Sequence, residues 1–173
     1  MMAGSSLPVA YRDPPLEHPL GADITEAVAI GHGSFDAYGF HTLEMLQCMV
    51  ERRKGGETGV ASVQTLRGDA VWEAADAGRF SWSLVRAASD VVENKRGQTE
   101  NMSEKARNPI AVIIQYRDGL QATILILRAF FAEGWGYAAT VDGEDVATEF
   151  VLHDRTTERR PIPITAQAHF GAL

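Results

Sequence analysis

Apolar residues follow distinct periods along this chain. Phe40, Leu43, Leu46, Met49 and Val50 recur every three or four positions, which predicts an amphipathic helix over residues 37–53 with that stripe against a core. Arg52, Arg53 and Lys54 fall where cations complement a helix dipole, and Gly55-Gly56 stops the helix. Residues 22–30 are small and branched apolar and end at Gly31, predicting a strand that delivers the chain to the helix. Residues 60–66 form a further predicted strand, Gly68-Asp69 turns into a short helix through Trp72 and Ala75, and Ser81 caps another helix reaching about residue 91. Residues 93–108 are polar and predict an exposed loop. Two hairpins follow: 109–116 and 120–128 flank Asp118-Gly119, and 133–141 and 144–152 flank Asp142-Gly143. Each Asp-Gly pair suits a tight turn with positive backbone angles.

Residues 123–127 are apolar on both alternating faces, so that strand must be covered on both sides. The expected fold is α+β: a mostly antiparallel open sheet with helices on one face and a partner molecule, giving a homodimer or higher homo-oligomer, on the other. Pro8, Pro14, Pro15 and Pro19 forbid a regular helix over residues 1–20, which read as a linker leading into a domain spanning 21–173. The tail from residue 155, with Arg159-Arg160, Pro161 and Pro163, reads as solvated.

Composition narrows the function. With 173 residues, of which 45% are apolar, the chain can bury one domain core. A formal charge of -7 disfavours nonspecific nucleic-acid binding. Its single cysteine, Cys48, excludes an internal disulfide framework and fits a reducing, cytoplasmic setting. No apolar run approaches the roughly 18 residues of a membrane span.

Candidate chemistry concentrates in Gly33-Ser-Phe-Asp36-Ala-Tyr38-Gly39-Phe-His41-Thr-Leu-Glu44. A histidine near a helix start can act as general acid/base when a neighbour orients it, and Asp36, Tyr38 or Glu44 stand within reach in sequence. The alternative is a packed core histidine. His41 and Glu44 share a helical face but lack a third metal ligand, so no metal is assigned. Gly31-His32-Gly33 imitates a dinucleotide loop, yet Asp36 replaces the third glycine and would repel a pyrophosphate; the glycines read better as shaping a turn. Cys48 reads as a small buried residue, and Trp72, Trp82 and Trp135 as core or interface residues, with a pocket rim as the alternative for Trp135, between Gly134 and Gly136.

Gly39-Phe40-His41 with Glu44, behind a glycine turn, resembles the catalytic helix of the glucose-fructose oxidoreductase, inositol dehydrogenase and MocA family (Gfo/Idh/MocA). Met2-Ala-Gly-Ser-Ser-Leu-Pro-Val9 resembles the closing strand of that family's nucleotide-binding Rossmann domain, and residues 49–60 and 68–72 are similar to one of its branches. The resemblance implies that this chain is the C-terminal, substrate-side domain of an NAD(P)-dependent oxidoreductase of sugars, polyols or related hydroxyl compounds. It implies His41 and Asp36 as catalytic residues and Tyr38 and Glu44 as substrate contacts. The family places its acid four residues before the histidine, where Ala37 stands here. NAD(P) would belong to the parent's Rossmann domain, so this chain alone is expected to bind no cofactor and to be inactive. A non-catalytic binding or oligomerisation protein of the same fold is the competing expectation.

Overall fold

The computed structural model describes residues 4–154 and 160–161. Its main sheet is built from β1 (Tyr11–Asp13), β2 (Ile24–Gly31), β3 (Val60–Arg67), β4 (Ile110–Tyr116), β5 (Gln121–Ile126), β6 (Trp135–Val141) and β7 (Glu144–Val151). Four helices accompany them: α1 (Phe35–Val50), α2 (Asp69–Asp76), α3 (Trp82–Asp90) and the single turn α4 (Met102–Lys105). Strand order is β1-β7-β6-β2-β5-β4-β3, and every neighbouring pair is antiparallel except β2 with β5. The architecture is therefore α+β with a mostly antiparallel sheet.

Turn chemistry sets much of this order. Asp142 and Gly143 both have positive φ, 51° and 86°, which joins β6 to β7 by a turn whose twist matches the strands. Ser81 caps α3, its Oγ accepting the Leu84 N–H at 3.2 Å.

Helices on one face only is an expectation that the packing corrects. On β2, Ala27 and Ala29 point one way and Val28 and Ile30 the other, as period two demands.

 Ala27 and Ala29 join Ala122, Ile124, Ile126, Tyr137 and Phe150 in a core closed by Met45, Leu46, Met49 and Val50 of α1. Val28 and Ile30 join Leu125, Leu127 and Ala138 in a second core closed by Val71 of α2 and Leu84, Val85 and Ala88 of α3. The doubly apolar strand is thus covered by this chain's own helices on both sides, because α2 and α3 cross to the face that α1 leaves open.

Three local expectations change as well. The buried face of α1 is Gly39, Thr42, Met45, Leu46, Met49 and Val50, while Phe40 stays 54% exposed. Small residues lead this face because the helix start lies close to the sheet: a methyl group on Gly31 would collide with the Thr42 hydroxyl. Residues 4–22 are no free linker. Leu7 and Ala10 are buried in the α1-side core, Leu7–Val9 is a 3-10 turn where a strand was expected, and β1 pairs with β7. Prolines exclude a helix there without excluding burial. Residues 93–108 also contribute to the core: Met102 is buried on the α3 side, and the buried Thr99 hydroxyl donates to Asp90 Oδ1 at 2.5 Å. The expected solvated tail lies outside the described residues, apart from β8 (His153–Asp154) and β9 (Arg160–Pro161), which pair antiparallel. Residues 1–3 of the expected closing strand lie outside them too.

Arg53, expected at the end of α1 as a cation complementing the helix dipole, is also buried. Its Nε donates to Asp118 Oδ2 at 2.7 Å, its Nη1 donates to the Val50 carbonyl, and its guanidinium lies 4.7 Å from the centre of the Tyr116 ring. That clasp fixes the end of α1 to the β4–β5 hairpin.

Candidate functional site

The carboxyl end of β2 and the start of α1 bring His32, Tyr38, His41 and Trp135 together. β2 ends at Gly31, the turn residue Gly33 has φ 72°, and Tyr38 lies where a side chain on Gly33 would be. Only glycine fits that turn without strain. The Tyr38 ring centre is 4.4 Å from that of His32 and 6.5 Å from that of His41. Trp135, at the start of β6, meets His32 edge-on at 4.6 Å.

His41, half-buried in the second turn of α1, is oriented from outside its helix. Its Nδ1 lies 2.9 Å from Ser5 Oγ, and that oxygen also accepts the Leu7 N–H at 3.1 Å. Neither expected carboxylate makes this bond. Asp36 is exposed in the first turn, where its charge complements the helix dipole, and Glu44 is half-buried one turn beyond His41. The structure therefore brings Tyr38 and His41 together and puts Ser5 in the orienting position. Ser5 lies 36 residues from His41, too far for a spacing argument.

His32 is the group that sequence reading passed over as part of a turn. Burial lowers its pKa below the ordinary histidine value, and the charge of Glu133 opposes that shift. Its Nε2 is buried without a hydrogen-bond partner among the described residues, and so is Trp135 Nε1. The available signal was positional, since ligands in sheets with parallel strand pairs often sit beyond strand carboxyl ends. Cys48 behaves as a packed residue: burial pushes its thiol up to about 11, and Sγ donates to the Met45 carbonyl at 3.1 Å.

Thr42 and Tyr38 occupy the space where side chains on Gly31 and Gly33 would lie, and Asp36 is exposed at the start of α1. Among the described residues, no three His, Cys, Asp or Glu side chains converge as a metal site. No described helix is long and apolar enough to cross a membrane. Searches of protein-family models, curated proteins and solved structures found no match to this chain.

Proposed function

We propose that this chain is the substrate-side domain of an NAD(P)-dependent oxidoreductase acting on sugars, polyols or related hydroxyl compounds. The observation that carries the reading is His41, half-buried beyond the end of β2, with Nδ1 held by Ser5 Oγ at 2.9 Å. Fixing one ring nitrogen leaves Nε2 to exchange a proton with a bound hydroxyl. Tyr38 and Trp135 supply flat apolar surface beside it. In this reading Tyr38 and Glu44 contact substrate, Asp36 is the second catalytic residue, and cofactor chemistry belongs to a Rossmann domain outside the 173 residues. The domain works as a homodimer or higher homo-oligomer.

The test is His41→Ala in the parent enzyme carrying that Rossmann domain. Turnover is expected to fall roughly 10²–10⁴-fold with cofactor affinity retained. Unchanged turnover would remove His41 from the chemistry and favour the competing reading, a non-catalytic binding or oligomerisation protein.

A further inference from the structure

We propose that β3 pairs antiparallel with β3 of a second copy in a register centred on Val63, in which Arg67 of each copy is held by Glu57 and Glu51 of the other. This rests on the homo-oligomer part of the proposed function and assigns its contact and its register.

β3 is an outer strand of the sheet, and seven of its eight residues are exposed. Its outer row of N–H and C=O groups is a template for another strand. Residues facing each other across an antiparallel pair share a face of the sheet. Val63, Thr65 and Arg67 lie opposite Ile114, Val112 and Ile110 of the core under α1, whereas Leu66 lies opposite Ala111 on the α3 side. Val63, 59% exposed, and the cation Arg67 therefore stand on the α1 face.

The start of the strand is acidic on that same face. Glu51 caps the end of α1, Glu57 precedes β3, and Val60 lies opposite Tyr116. Burial, and then the charges of Glu57 and Glu44, raise the Glu51 pKa; burial and then Glu57 push the Tyr116 hydroxyl up to about 12. The carboxylates thus act on one another and on the ring beneath them. Arg53, the nearest cation, is committed to Asp118, and Arg117 lies along Gly59 without pairing with either acid. Among the described residues, Arg67, Glu51 and Glu57 form no ion pair.

These features complement one another only between two copies. A two-fold axis through Val63 sets that exposed side chain against its own copy. It also carries Arg67, four residues after Val63, opposite Gly59, four residues before it and two from Glu57. Each side of the axis then joins one cation to the acids, the self-complementary arrangement of an isologous contact. Slipping by one residue would set Val63 opposite a side chain of the other face.

The test is sedimentation velocity of the 173-residue chain over a concentration series. The wild type should dimerise at micromolar concentration. Arg67→Glu and Glu57→Arg, each alone, should weaken the dimer roughly 100-fold. Glu57→Arg makes the chain less negative, so relief of overall repulsion predicts the opposite sign. Glu144→Arg, the same charge change at the start of β7, is the control and should not weaken association. Mixing the two weakened variants restores opposite charges on both sides of the axis, so an equimolar mixture should form a heterodimer of near wild-type affinity. Single variants that dimerise like the wild type, or a mixture that stays monomeric, would overturn the clamp while leaving the homo-oligomer reading intact. A monomeric wild type would overturn both, and neither result bears on turnover by His41.

Discussion

His18 is a buried imidazole whose Nε2 lies 3.0 Å from the Tyr137 hydroxyl, in the core beneath α1. Burial lowers its pKa, and the cations Arg52 and Arg12 lower it further. The ring is therefore neutral in the native state, and the tyrosine O–H can donate to Nε2. Protonation would put two donors face to face. Since the folded pKa is depressed below the unfolded value of about 6.5, this contribution to stability is fully present above about pH 6.5 and is lost as pH falls through the folded pKa. Urea denaturation should show His18→Gln losing less stability than the wild type between pH about 7.5 and about 5.5; parallel losses would contradict the assignment. His32, shifted the same way by burial, supplies part of the slope that remains. Tyr137→Phe should cost about 1–3 kcal/mol at neutral pH by leaving His18 unpaired. None of this was legible in the sequence, because His18 and Tyr137 are 119 positions apart. Tyr38 and His41 were legible because one helical turn joins them.

At the scale of elements, α3 approaches β6 closely. A methyl group on Gly136 would run into the Ala88 carbonyl, and Val92 Cγ2 would lie 3.0 Å away. Backbone cannot move aside like a side chain, so α3 would have to lift from the sheet. Gly136→Ala should therefore destabilise by about 3 kcal/mol, the upper end for overpacking. Gly4→Ala, with nothing within 4 Å, should be neutral. Thermal melts of the two variants check this, and equal midpoints would refute the close approach. The hairpins were readable because Asp118-Gly119 and Asp142-Gly143 dictate local turns. The layering was not. A strand that is apolar on both faces requires two covers, but its period does not say whether they come from this chain or another. Within the α1 stripe only Phe40 was misassigned, for a related reason: periodicity finds Phe40 as readily as Thr42, and only the close approach at Gly31 selects the smaller residue.

For the whole molecule, helices on both faces mean that the proposed self-association would have to use a sheet edge. β1 is a poor template, three residues long and followed by Pro14 and Pro15. β3 at the opposite edge is eight residues long, has no proline and carries one charge, Arg67. Val63, on this strand, is 59% exposed. Natural edges are usually blunted by charge, proline or brevity; the register shift between Val60 and Ser62 interrupts β3 only near its start. The chain's net charge of -7 makes two copies repel, and a strand free of acidic residues is where that repulsion is weakest. Antiparallel pairing of β3 with β3 of a second copy would extend the sheet across a two-fold axis. Light scattering after size exclusion should give a dimer mass at micromolar concentration, and Val63→Lys, which sets like charges near one another across the axis, should give a monomer with an unchanged melting profile at low concentration. A monomeric wild type, or a dimer that survives Val63→Lys, would rule out β3 as the contact.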